Sequence, residues 1–194
     1  MTDLADADPA LPGGQRIVLA SGSPRRLDLL RSAGVDPEVL VPDVDESPLP
    51  GEAPVAYVDR IARSKALAVE VAAGRVVVAA DTTVDLDGRI LAKPCDAASA
   101  RSMLEALSGR SHLVHTAVAV RRDQVCDTRV VTTGVGFALL DEATVEWYVA
   151  TGESFGKAGA YAIQGSGARL VEWVHGSVTN VIGLPLAELF EMLG

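Results

Sequence analysis

Cysteine is scarce in this sequence: Cys95 and Cys126 are the only two in 194 residues. They stand far apart and form no CxxC pair, which argues against a disulfide framework or a zinc site and suits a reducing cytosol. Long apolar runs are missing too. No uncharged stretch approaches the ~18 residues of a membrane span. The acidic opening, MTDLADADPALPGG, lacks a basic region leading into an apolar core, so no signal peptide is expected. Basic residues are the minority, with seventeen Lys and Arg against twenty-six Asp and Glu, and the net charge is −9. A surface of that sign repels nucleic acid and anionic membranes, so neither is an expected partner. A small anion would need a local cluster of basic side chains. No Walker loop, GxGxxG fingerprint or Ser-His-Asp arrangement is visible.

What remains is the composition of an ordinary globular protein, 48% hydrophobic and 22% charged. A chain of this length buries roughly 70% of its unfolded surface in one core. The expected organisation is a mobile tail over residues 1–14 and a single domain over residues 15–194, in the cytoplasm.

The apolar pattern predicts strands at 16–20 and 38–41, with a helix between them. That helix has Ser23 as N-cap, Pro24 at its first position, Leu27, Leu30 and Ala33 as its buried stripe, and Gly34 as its stop. A Pro/Asp-rich loop covers 42–50, and a second helix is expected over 54–73, closed by Gly74. Residues 75–80 hold a continuous apolar run with β-branched Val76, Val77 and Val78, the mark of a strand buried on both faces, ending at Asp81. A hairpin over 84–91 turns at Asp87-Gly88. Asp96 caps a helix to Leu107. Strands follow at 113–120 and 130–139, then a helix over 142–150, a Gly-rich segment over 156–167, a strand at 170–174 and a last helix from Pro185. Alternating elements followed by clustered strands predict an α/β fold with a mixed sheet.

In open α/β sheets, ligands gather beyond the carboxyl ends of strands, and two polar clusters are expected there. The first, residues 21–26, puts Arg25 and Arg26 in the first turn of a helix, where positive charge is disfavoured. With free backbone N–H groups and the Ser21 and Ser23 hydroxyls they could cradle a phosphate; alternatively, they are solvated arginines beside an N-cap. The second begins with Asp81, either a turn residue or a carboxylate that binds a metal or takes a proton from water. Lys65 interrupts the apolar stripe of Val58, Ile61 and Val69, which reads as a lysine snorkelling at the edge of that face or as a functional cation. Lys93, before Pro94, is a further basic candidate. His112 and His115 lie three apart in a strand and so face opposite ways, which argues against a shared metal.

Together the segments LASGSPRRLDLL, VDES, IARSKA, AADTTV, ILAKP, LSGRSH, ESFGKAGAYAIQG and NVIGLPL resemble, in order and spacing, the Maf family of nucleoside triphosphate pyrophosphatases, once described as septum-formation inhibitors. The resemblance runs from about residue 16 to the C-terminus. It implies an elongated mixed-sheet α/β fold of the Maf and inosine-triphosphatase type, with two lobes around a cleft. The implied activity is metal-dependent cleavage of a nucleoside triphosphate to a monophosphate and pyrophosphate, by a homodimer using Mg²⁺ or Mn²⁺. Asp81 matches the general base, with a metal-ligand role as the alternative. Ser23, Arg25, Arg26, Lys65, Lys93 and Lys157 match substrate-binding positions, and Glu46 matches an acidic residue near the metal. Thr82 and Gln164, with Arg25, match positions linked to base choice. Ala92 departs from the family pattern, which has Gly before the Lys-Pro pair.

The SGSPRR, DTT and YAIQG forms resemble the family branch that prefers dTTP and UTP over methylated guanine triphosphates. In an extended segment Gln164 shares a face with Ala160 and Ala162. Its amide complements the N3–H and O4 of uracil or thymine. Rival expectations are a nucleotide-sensing septation regulator without turnover, and a pyrophosphatase for deaminated or methylated purine triphosphates.

Overall fold

A computed structural model describes residues 16–194; the expected mobile tail over 1–14 lies outside the described residues. The sheet has seven strands: β1 (Ile17–Ala20), β2 (Glu38–Val39), β3 (Val76–Leu86), β4 (Arg89–Leu91), β5 (Ser111–Arg122), β6 (Val125–Phe137) and β7 (Val171–His175). Their order is β2-β1-β3-β5-β6-β7, with β4 paired to β3. β1 runs parallel to both β2 and β3, and the other pairings are antiparallel, so the sheet is mixed as the element order predicts. The helices are α1 (Pro24–Ser32), α2 (Pro54–Ala68), α3 (Ala97–Leu107), α4 (Glu142–Ala150), α5 (Val178–Ile182) and α6 (Leu186–Leu193). None is long and apolar enough to cross a membrane.

The β-branched run does produce a doubly buried strand, and its alternation sorts two cores. Val77 and Ala79 join Val18, Ala20, Ala117 and Ala119 against α2, through Val58, Ile61, Ala62 and Ala66. Val76, Val78 and Ala80 face the other way with Leu19, Val118 and Val120, against Leu29 and Leu30 of α1 and Leu189 of α6. A third core lies further along the same strands, where Val84, Leu86, Val114, Val135 and Phe137 pack on α3 and α4. This makes two lobes sharing three long strands.

Between the lobes the strands turn polar. Asp81-Thr82-Thr83 on β3 lies beside His115-Thr116 on β5, which in turn lies beside Thr132-Thr133 on β6. The expectation that the strand ends at Asp81 is therefore corrected: β3 continues to Leu86. What ends is its neighbour. β1 stops at Ala20, opposite Ala79, and β4 joins the same edge only at Val84. Residues 80–83 thus line a gap in the sheet, and that gap is where the cleft opens.

Three further expectations change. α2 stops at Ala68 rather than 73, because the β-branched Val69 turns extended and buries its side chain, while its carbonyl accepts a bond from Arg121. The buried stripe of α1 is Arg26, Leu29 and Leu30, with Ala33 exposed, since the helix lays its first-turn arginine inward. The five-residue α5 precedes the expected last helix. The hairpin tip is as read, with Asp87 and Gly88 both at positive φ, as a type I′ turn requires. Asp96 caps α3 in a reciprocal box with Ser99.

Candidate active site

The cleft holds a cavity of about 370 Å³, within the usual range for a small-molecule site. Every residue that the resemblance assigns to catalysis, substrate or metal lines it: Ser23, Arg25, Arg26, Glu46, Lys65, Asp81, Thr82, Lys93, Lys157 and Gln164. Five of its lining side chains are cationic and two anionic. An acidic protein has concentrated positive charge in one place.

Successive residues of β3 point to opposite faces, so Asp81 and Thr82 should serve different layers. They do. Asp81 turns toward α2, where its Oδ1 accepts a hydrogen bond from Lys65 Nζ at 2.8 Å. Lys65 also lies 2.6 Å from Glu46 Oε1, and Lys93 Nζ reaches Glu46 Oε2 at 3.1 Å. The four form an alternating line of charge. Lys65 is only 6% exposed and Asp81 5%, so the snorkelling reading of Lys65 is corrected. Its partners arrive from another strand and another loop, which a helical stripe cannot reveal. Asp81 Oδ2 is buried with no hydrogen-bond partner.

The loop bearing Glu46 is pinned to α2: the Tyr57 hydroxyl donates to the Glu46 carbonyl at 2.9 Å, and Arg60 donates to the Ser47 carbonyl at 3.1 Å. Burial alone would raise the Glu46 carboxyl; the hydrogen bonds and charges of Lys65 and Lys93 outweigh it and hold it below the ordinary range.

On the other face, Arg26 is 8% exposed. Burial pushes its guanidinium below the usual value, with Asp81 opposing the shift. Nε donates to the Gly183 carbonyl at 2.8 Å, Nη1 to Ser21 Oγ at 3.1 Å and Nη2 to Thr82 Oγ1 at 3.1 Å. Thr82, which the resemblance links to base choice, has its hydroxyl engaged by Arg26 and by Thr116 at 2.9 Å. Ser23 is the N-cap of α1 but makes no side-chain cap bond, so its hydroxyl stays available to the cavity. Burial also lowers Arg25 and Lys157, and Arg25 lowers Lys157 further. Cations desolvated in this way gain from an anion among them.

The far wall is the Gly-rich segment. Tyr148 Oη accepts from the Ala162 N–H at 3.0 Å, and the Glu153 carboxylate accepts from Ser166 and Gly167 N–H at 3.0 and 3.2 Å. These bonds fix the strip from Tyr161 to Gln164 along the cavity, with Gln164 extended and exposed. Ala160 sits apart from that strip, at positive φ in a short 3₁₀ turn, so it does not continue one extended face with Gln164. Lys157 Nζ donates to the Glu153 carbonyl at 2.5 Å. At the departure from the family pattern, the Ala92 carbonyl accepts from Gly159 N–H at 3.3 Å, which ties the backbone beside Lys93 to the Gly-rich segment. His112 and His115 go to different partners, Tyr161 Oη at 2.7 Å and Asp85 with Thr132.

Sequence reasoning missed Ser21 as a side-chain acceptor, Tyr161 as a wall and the carbonyl of Gly183. The only signal for the last is the segment NVIGLPL, whose residues carry no reactive side chain that would mark a site. Among the described residues no three His, Cys, Asp or Glu side chains gather as a metal-binding group.

Comparison with known proteins is consistent along the whole described chain. The family model described as "Maf-like protein" matches residues 16–194. A protein of Anaeromyxobacter dehalogenans named dTTP/UTP pyrophosphatase is 56% identical over 182 residues, 92% of each chain. A Geobacter metallireducens protein of the same name is 48% identical over 187 residues, 94% of this chain and 97% of that one. In fold, the chain is similar to a solved HAM1 protein from Coxiella burnetii, at a TM-score of 0.54 and 18% identity, over 92% of this chain and 98% of that one. A match to the family model across all but the first fifteen residues, together with relatives at this identity, establishes that the chain belongs to the Maf-like protein family.

Proposed function

We propose that this chain hydrolyses dTTP and UTP to the nucleoside monophosphate and pyrophosphate, clearing these or related modified pyrimidine nucleotides from the pool. The observation that carries the reading is the buried Lys65–Asp81 pair set at the sheet gap, beside Arg25, Arg26, Lys93 and Lys157 in one cavity. Relatives at 48–56% identity bear the name dTTP/UTP pyrophosphatase.

In this reading the cationic side chains hold the polyphosphate, with charge-assisted hydrogen bonds from the two arginines. They offset the charge that develops on the departing pyrophosphate. Lys65 fixes one oxygen of Asp81, leaving the unpartnered Oδ2 to orient a water and accept its proton as it attacks the α-phosphorus. Gln164 and the strip behind it receive the base, its amide matching the N3–H and O4 of a uracil or thymine ring.

The donor set also fits a hard divalent cation. Glu46 and the orphaned Asp81 Oδ2 are carboxylate oxygens, and a pair of carboxylates completed by substrate phosphates is the usual habit of Mg²⁺. Such an ion, Mg²⁺ or Mn²⁺, would supply Lewis-acid stabilisation of phosphoryl charge. The same reading has the enzyme act in the cytoplasm as a homodimer, with no nucleic acid or membrane partner.

A pyrophosphate-release screen over normal and modified triphosphates, with several divalent metals, tests this. The expected result is highest kcat/KM with dTTP and UTP. Methylated GTP or ITP exceeding both, or nucleotide binding without turnover, would overturn it.

A further inference from the structure

The segment 180–186, NVIGLPL, carries part of the family resemblance but plays no part in the chemistry above. Its carbonyls nevertheless end against the site. Gly183 O accepts from Arg26 Nε at 2.8 Å, and Asn180 O accepts from Thr116 Oγ1 at 2.9 Å. Thr116 has a single hydroxyl proton. Because that proton goes to Asn180, the 2.9 Å contact between Thr116 and Thr82 must use the proton of Thr82. Thr82 Oγ1 is then left to accept from Arg26 Nη2. The direction of the chain is fixed: Arg26 to Thr82, Thr82 to Thr116, Thr116 to the Asn180 carbonyl.

The far end of this chain is itself anchored. Asn180 is fully buried and donates from Nδ2 to the Val114 carbonyl at 3.0 Å and to Thr133 Oγ1 at 2.9 Å. At the near end, each guanidinium nitrogen of Arg26 has one protein acceptor, and each terminal nitrogen keeps a second N–H. Thr116 is fully buried and does not line the cavity, so it touches no substrate.

We propose that Thr116 is a positioning residue for Arg26. By fixing the rotation of the Thr82 hydroxyl, it holds the guanidinium so that its two remaining N–H groups face the polyphosphate. This rests on the reading of the cavity as a nucleoside triphosphate site. Valine at 116 would keep the volume but leave the Thr82 proton and the Asn180 carbonyl unpaired, and the hold on Nη2 would loosen.

The test compares wild type, Thr116→Val and Thr116→Ser in two assays: calorimetric binding of inorganic pyrophosphate with Mg²⁺, and kcat/KM for dTTP. Thr116→Val is expected to weaken both on the order of ten-fold. Thr116→Ser, which restores the hydroxyl, is expected to recover both. In an Arg26→Ala background Thr116→Val should change neither, a result that a general packing defect would not give. Binding by Thr116→Val as tight as wild type would overturn the proposal, as would an undiminished penalty in the Arg26→Ala background. If the valine variant does not fold, Thr116→Cys, with its weakly hydrogen-bonding thiol, carries the same expectation. A wild-type protein that binds pyrophosphate but turns over no triphosphate defeats the proposed function alone, and the binding comparison then decides this inference. A wild-type protein that does neither defeats both.

Discussion

Lys65 and Asp81 meet at 2.8 Å between α2 and β3, and both are almost fully buried. A buried ion pair is costly to assemble and costlier to break, because removing one partner strands the other's charge. This pair therefore links the stability of the first lobe to the chemistry of the cleft.

Replacing Asp81 with Asn keeps the shape and the acceptor for Lys65 but removes the charge that would take a proton or meet a cation. Turnover of dTTP is expected to fall by ~10²-fold or more, with Tm close to wild type, because Lys65 keeps its second ion pair with Glu46 at 2.6 Å and its charge is not stranded. Near wild-type turnover at saturating metal would rule out both roles for this carboxylate.

Lys65→Ala differs in kind. It leaves Asp81 buried without its partner, and a loss of about 3–5 kcal/mol is expected in urea unfolding. The double variant Lys65→Ala/Asp81→Asn should be more stable than Lys65→Ala alone. If it is not, the destabilisation comes from lost packing rather than from the stranded charge.

His112 is buried beside Tyr161 and Phe137, and burial pushes its pKa down to about 4 from an ordinary value of 6.5. Between those two values the unfolded chain binds a proton that the folded chain does not. Stability is therefore full above about pH 6.5 and falls as the pH drops toward 4, by up to about 3 kcal/mol. Denaturant unfolding at several pH values should show this slope in wild type and a much flatter one in His112→Gln.

Glu153 ties down the turn that follows Gln164 through the Ser166 and Gly167 N–H groups. Glu153→Ala should raise KM for dTTP by roughly ten-fold while leaving kcat nearer to wild type, the pattern of lost ground-state binding. An unchanged KM would mean that the base wall holds its shape without this clamp.

Local chemistry was legible in the sequence wherever the signal is local. The Asp87-Gly88 tip and the Asp96 cap act within a few residues of themselves, and the structure has both. The basic cluster at 25–26 was also visible, because arginines at a helix start run against the helix dipole. Long-range partners were not visible. Asp81 looked like a strand end because a polar residue after five apolar ones usually is one, yet here Lys65 satisfies it from another layer. Thr82 likewise survives inside a strand because Thr116 and Arg26 occupy its hydroxyl. The overlong α2 reflects a pattern that stayed apolar through Val69 and Val71 after the backbone had turned extended.

The polar belt at 81–83, 115–116 and 132–133 crosses strands that do not break. A cleft cut into continuous ladders has no hinge: swinging one lobe against the other would tear the backbone bonds of β3, β5 and β6 at the belt itself. The two sides of the cleft behave as one rigid spine. Enclosure of a substrate then falls to the parts that leave the spine, the loop that carries Glu46 on one bank and the Gly-rich strip that carries Gln164 on the other. Both segments line the same cavity from separate stretches of chain, so under the proposed reading either can close over a triphosphate without disturbing the spine.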